Sequence, residues 1–108
     1  EGANQIKNMF DMLYELFDNV IQALENKDSQ QAQLAVLKED KIDEMKLTCR
    51  NQYINRLKKP ESHPEAEMLI MDLATNIEKI GDHLVNIAKA VLKDLQWGRK
   101  VTLTEVNK

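Results

Sequence analysis

An all-α fold, an antiparallel up-down-up bundle of three helices, is predicted by three observations: apolar residues recur at steps of three and four along most of the chain, two short stop-and-restart points interrupt them, and turn residues are scarce. With three Gly and two Pro in 108 residues, 43% hydrophobic and 31% charged, the composition suits long regular elements around one core. Strand-like alternation, internal repeats and low-complexity runs are absent. Residues 1–98 therefore read as a single three-helix bundle, and residues 99–108, which carry no stripe, as a C-terminal tail.

In the first segment Ile6, Met9, Phe10, Leu13, Leu16, Phe17, Val20, Ile21 and Leu24 form one stripe, predicting a helix over about residues 4–26. At Asn26-Lys27-Asp28 the chain stops and restarts. Asp28 is placed to cap the second helix, with Gln31 three residues on to complete a capping box. The second stripe runs through Ala32, Ala35, Ile42, Met45, Cys49, Tyr53 and Leu57, and Lys58 and Lys59 sit at its negative dipole end before Pro60. The third helix opens with Ser62 as cap, Pro64 in the first turn and Glu65 at the box position. Its stripe is read as Leu69, Leu73, Ile77, Ile80, Leu84, Ile87, Val91 and Leu95, with Gly98 closing it and Trp97 capping the bundle. The predicted core is Leu13, Phe17, Ile42, Cys49, Leu73, Ile80, Leu84 and Ile87.

A net charge of −3, with Lys and Arg scattered among acids, lacks the basic footprint of a nucleic-acid binder. No apolar run approaches the roughly 20 residues that span a bilayer, and Glu1-Gly2-Ala3-Asn4 does not open a signal peptide, so the expected location is cytoplasmic. The missing initial Met suggests a chain cut from something longer. Cys49 falls on an apolar stripe and has no cysteine to pair with, which fits a small buried residue in a reducing compartment. Met12, Met45, Met68 and Met71 read as gap-filling residues in or near the core.

Two acid pairs stand out, Glu39 with Asp43 and Glu78 with Asp82. Residues four apart project from one face of a helix, so each pair holds two like charges side by side, and a cation would relieve their repulsion. In an antiparallel hairpin, residues equidistant from the turn lie at one height. The turn centres between Pro60 and Glu61, so Asp43 is level with Glu78 and Glu39 with Asp82. Four carboxylates at one level would suit a hard cation that prefers oxygen ligands, if both pairs faced one groove. On the stripes drawn above, Glu39 and Asp43 flank theirs while Glu78 and Asp82 turn away, which puts any site on the surface. Spacing leaves an alternative in which Asp43 pairs with Lys46 and Asp82 with Lys79 as ordinary exposed contacts. His83, His63 and Asn86 read as surface or turn residues, and Gly81 inside a helix asks what packs closely against it.

The run Asn76-Ile77-Glu78-Lys79-Ile80-Gly81-Asp82-His83-Leu84-Val85-Asn86-Ile87-Ala88 resembles the signature of the PhoU family of phosphate-uptake regulators, commonly Glu-Arg-Ile-Gly-Asp-His-Ala-x-Asn-Ile-Ala. Glu39-Asp40-Lys41-Ile42-Asp43 is similar to the family's other acidic motif, and the first helix matches in pattern only. Lys79 and Leu84 depart mildly from the family's usual Arg and Ala. The resemblance implies a PhoU-like bundle whose acid-x-x-x-Asp motifs bind metal at the surface, here Glu39, Asp43, Glu78 and Asp82. Iron, zinc, magnesium and calcium are all candidates. Free-standing members carry two such units and this chain has one. Tyr53-Ile54-Asn55-Arg56-Leu57, with Glu65-Ala66 and Met71-Asp72-Leu73, resembles the version at the cytoplasmic C-terminus of bacterial sodium/phosphate cotransporters.

That resemblance implies a regulatory domain of phosphate transport at the inner face of the membrane. Its partners would be the membrane portion of a transporter, a signalling protein or further copies of itself. The alternative within the family is a detached or free-standing phosphate-signalling regulator acting as a soluble oligomer. A carboxylate-bridged di-iron enzyme would need four helices and Glu-x-x-His motifs, which this sequence lacks, and neither Cys49 nor the histidines have an evident catalytic partner. The chain is therefore read as a non-enzyme with no catalytic residues.

Overall fold

In the computed structural model, which describes the backbone of residues 2–105 and the side chains of residues 2–93, three helices follow one another: α1 (Gly2–Asn26), α2 (Ser29–Leu57) and α3 (Pro64–Glu105). All three pairs pack together into a rod of 67 × 19 × 15 Å. At about 1.5 Å per residue, the 42 residues of α3 set its length. No helix among the described residues is long and apolar enough to cross a membrane.

The first turn uses the chemistry expected of it. Lys27 adopts a left-handed φ of 51°, and Asp28 N donates to Ala23 O at 3.2 Å, closing α1 in the manner of a Schellman motif. Asp28 Oδ1 then accepts from the backbone of Gln30 at 2.9 Å and of Gln31 at 3.4 Å, capping α2. The capping box is not completed. The Gln31 side chain instead accepts from Asn19 Nδ2 at 2.6 Å, while Lys38 Nζ donates to Asn19 Oδ1 at 2.6 Å. Asn19 is buried, so these two bonds offset the desolvation of its amide and pin α1 to α2 near the turn.

The second turn departs from the expected cap. Pro64 is the first residue of α3, and the His63 carbonyl accepts from Glu67 N at 3.0 Å. The boundary thus falls directly before the proline, whose fixed φ and missing N–H suit the first helical position, and Ser62 lies one residue too early to cap. At the far end α3 continues through Gly98 to Glu105. A glycine with no proline after it costs a helix about 1 kcal/mol and does not by itself stop it. The expected Trp97 cap lies outside the described side chains.

Met9, Leu16, Val20, Ile42 and Cys49 form the fully buried centre, with Leu13 and Ile77 at 6% and 5% exposure beside them. Cys49 is the small buried residue its stripe implied, and burial pushes its thiol up. Four expected core residues are not in the core: Phe17, Leu73, Ile80 and Ile87 are 46%, 50%, 48% and 40% exposed. Leu84 packs against the core half-buried. The face that α3 turns inward is Ala74, Ile77, Gly81, Val85 and Ala88. Small residues let backbones approach, so the contact line follows Ala74, Gly81 and Ala88 and sends the larger side chains to the flanks.

Candidate metal centre

Rotating α3 onto its small-residue face changes where its acids point. Glu78 and Asp82 now border the α2/α3 groove, where Glu39 and Asp43 of α2 already stand. The heights deduced from the hairpin hold: Asp43 meets Glu78, and Glu39 meets Asp82. Carboxylate oxygens of Glu39, Asp43 and Asp82 lie within 4.8 Å of one another, with Glu39 and Asp43 half-buried and Asp82 exposed. The expectation that Glu78 and Asp82 turn away from the groove is therefore corrected, because it rested on a stripe drawn through the wrong side chains.

Glu78 takes a different partner from the other three. Lys46 Nζ lies 2.7 Å from Glu78 Oε1, so Lys46 reaches across to α3 and does not pair with Asp43 on its own helix. That ammonium is the main reason the Glu78 carboxyl sits below the usual carboxylate range, with Asp43 adding a second favourable contact. Lys46 carries a role that i,i+3 reasoning missed; counting away from the turn would have set it level with Thr75, one helical turn from Glu78.

The remaining three carboxylates are crowded. Burial, then the neighbouring Asp82 and Asp43, push the Glu39 carboxyl up from 4.5 to about 7. Asp43 is also raised, first by burial and then by Glu78 and Asp82, against a lowering contact from Glu39. Its Oδ1 is buried with no hydrogen-bond partner. Acceptors packed against acceptors can be relieved by protons or by a cation, and three gathered carboxylates, one with an orphaned oxygen, fit a hard, oxygen-binding ion. His63 and His83 are both exposed, His83 next to Asp82 in sequence and His63 before α3, and the site is built from oxygen donors alone.

Elsewhere the polar interior is structural. Arg56 Nε lies 3.0 and 2.8 Å from the two oxygens of Glu67, joining the end of α2 to the start of α3 and holding the Glu67 carboxyl down. Gln5 Nε2 donates to Gln52 Oε1 between α1 and α2.

The comparisons with known proteins converge on one family. A PhoU domain model matches residues 6–91. The chain is 31% identical over 96 residues to a phosphate-specific transport system accessory protein PhoU homolog of Clostridium acetobutylicum, across 84% of this chain and 43% of that relative. It thus spans less than half the length of the curated relative it matches. No solved structure matches it. With three helices, the acidic pairs on α2 and α3 and a family match over most of its length, the chain belongs to the PhoU domain family.

Proposed function

We propose that this chain is a regulatory and interaction domain of phosphate transport, and that Glu39, Asp43, Glu78 and Asp82 hold a divalent or ferric cation on the α2/α3 surface. Two observations carry the metal reading: oxygens of Glu39, Asp43 and Asp82 converge within 4.8 Å of one another, and Asp43 has a buried Oδ1 with no hydrogen-bond partner. Those three residues would hold the ion first, and Glu78 would join once Lys46 releases it. The bound cation would neutralise charge and fix α2 against α3; it has no catalytic part in this reading. Iron, zinc, magnesium and calcium all accept such oxygens, the harder ions most readily.

Docking suits the surroundings better than turnover. The histidines are exposed, and Cys49 is buried with its thiol disfavoured from ionising, so neither supplies a nucleophile and base beside the acids. Membership in the PhoU domain family supports phosphate regulation. Two settings differ in what adjoins the domain. The Tyr53–Leu57 phrase favours the cytoplasmic end of a sodium/phosphate cotransporter, at the inner face of the membrane, with the transporter's membrane portion as partner. The Clostridium relative, by name an accessory protein of a phosphate-specific transport system, favours the detached or free-standing regulator.

Metal content of the purified domain, wild type against Asp43→Ala/Asp82→Ala, tests the site: the wild type should retain metal after dialysis and the double variant should not, with equal helicity. Equal metal in both would remove the assignment. Phosphate uptake by cells carrying the full-length parent with Glu78→Lys/Asp82→Lys tests the role. Unchanged uptake and an unchanged response to external phosphate would remove regulation.

A further inference from the structure

One ion pair divides the four acids of the α2/α3 groove. Lys46 stands on α2 just past Asp43, and its Nζ lies 2.7 Å from Glu78 Oε1, with the two side chains 28% and 27% exposed. The other lysines along this stretch of α2 turn elsewhere. Lys38 Nζ lies 2.6 Å from Asn19 Oδ1 and 3.4 Å from Glu15 Oε1, and Lys41 Nζ lies 3.8 Å from Glu44 Oε1. Of these lysines, Lys46 is the one that reaches the acids of α3. Glu78 is in turn the acid outside the group whose oxygens lie within 4.8 Å of one another, which is Glu39, Asp43 and Asp82. The carboxylate held by the ammonium is thus the one that does not converge with the rest.

We propose that Lys46 is the specificity-determining residue of this centre: by withholding Glu78 it disfavours large cations that collect many oxygens. The inference rests on the metal reading above and adds which ions the centre prefers. Cations differ in how much a further carboxylate gives them. Mg²⁺ demands a near-ideal octahedron at short range, keeps several of its waters and is bound through one or two carboxylates, so Glu39, Asp43 and Asp82 already meet its need. Ca²⁺ takes about six to eight oxygens at longer range and in a flexible arrangement, and gains from each carboxylate added. Recruiting Glu78 requires displacing the Lys46 ammonium, and an ammonium left in place repels any cation beside it. The penalty for displacement is common to both ions while the gain differs, and specificity is that difference. Lysine suits the role. Its ammonium is a compact point charge on a flexible stem, so it can hold one oxygen of Glu78 and still be moved, where a guanidinium would clamp both oxygens.

Calorimetric titration of the 108-residue chain with Mg²⁺ and with Ca²⁺, wild type against Lys46→Met, tests this. Lys46→Met should raise Ca²⁺ affinity by at least about tenfold, the scale on which residues next to a metal ligand act. Mg²⁺ affinity should rise clearly less, so that the ratio of the two moves toward Ca²⁺. Adding Glu78→Gln to Lys46→Met should remove the Ca²⁺ gain, because the gain passes through that carboxylate. Where circular dichroism shows that Lys46→Met has lost helicity, the uncharged but polar Lys46→Gln takes its place. Equal gains for the two ions would reveal a through-space effect of charge and overturn the proposal. So would a Ca²⁺ gain that survives Glu78→Gln, or no gain at all, and in each of these cases the metal centre itself would stand. Failure of both ions to bind wild type and variant alike would overturn it as well. Metal retained by the dialysed wild type and lost from Asp43→Ala/Asp82→Ala then tells whether the centre survives without the proposal.

Discussion

Replacing Asp43 with Asn should stabilise the metal-free domain at neutral to alkaline pH and remove its response to metal. Burial and its neighbours Asp82 and Asp43 raise the Glu39 carboxyl from 4.5 to about 7. The folded domain therefore keeps a proton on Glu39 through a window, about pH 4.5 to 7, in which the unfolded chain has already lost it. The stability this contributes is complete below 4.5 and is lost as pH rises through 7, so the metal-free domain weakens toward alkaline pH. For a shielded group such a shift corresponds to about 3 kcal/mol. Solvent reaches this half-buried site, and screening brings the effect to about 1–2 kcal/mol. The Asp43→Asn change would remove one negative charge, and the new amide could donate to Glu39 or Glu78 where a carboxylate only accepts. Near pH 8 in EDTA the variant should gain about 1–2 kcal/mol, or roughly 5–10 °C in Tm for a domain of this size. Near pH 4.5 the two proteins should converge. A cation at a hundredfold its Kd should stabilise the wild type by about 2.7 kcal/mol and the variant far less. Thermal unfolding followed by circular dichroism from pH 4.5 to 8, in EDTA and with Mg²⁺, Ca²⁺, Zn²⁺ or Fe³⁺, reads all of this. Superimposable metal-free curves, or a metal response preserved in the variant, would refute the reasoning.

Three further changes probe the same geometry. Lys46→Met removes the ammonium that holds Glu78 down; because a lowered carboxyl stabilises above its unfolded pKa and loses that contribution on acidification, the variant should lose about 0.5–1 kcal/mol near pH 7 and progressively less as pH falls below 4.5, and calorimetric titration should show tighter metal binding. Gly81→Ala should raise stability by about 1 kcal/mol in urea unfolding, since the new methyl would lie at ordinary contact distance, 3.7 Å from Ile42 Cδ1 and 3.8 Å from Leu13 Cδ1; a loss would mean the helices are closer than these distances. Ile42→Ala should cost about 2–5 kcal/mol, and Ile87→Ala, at a 40% exposed position, clearly less.

Much of the architecture was legible because it depends on signals that act locally. Asp28 after a left-handed Lys27, and Pro64 at a first turn, mark boundaries through backbone geometry alone. Helix pairing followed from short connections, and the levels of Asp43 with Glu78 and Glu39 with Asp82 followed from counting away from one turn. Side-chain choices at the caps were less legible. Gln31 had a box partner available, yet bonded to the buried Asn19 amide, whose need for a partner depends on burial that no local pattern displays. Gly98 misled for a related reason: a stop signal acts only when the backbone takes the turn, and here α3 continues to Glu105.

The facing of the acids was misjudged because hydrophobic periodicity weights residues by size. On α3 the bulky residues Leu69, Leu73, Ile80 and Ile87 trace a regular stripe, but it lies roughly a quarter-turn from the line of closest approach. Ala74, Gly81 and Ala88, seven residues apart, occupy that line, and they contribute little to a hydrophobicity pattern although they decide how near α3 comes to its neighbours. One rotation therefore accounts for two findings. Moving the buried face onto the small residues brings Glu78 and Asp82 to the α2 groove, where the carboxylates gather, and leaves the bulky residues open toward α1. Had the large residues of α3 been central, Glu78 and Asp82 would have turned from the α2 groove, and Leu73, Ile80 and Ile87 would have been buried. The carboxylate site and the open α1/α3 face are consequences of the same small-residue contact, and a bulky substitution at Ala74 or Ala88, both fully buried, should disturb both together.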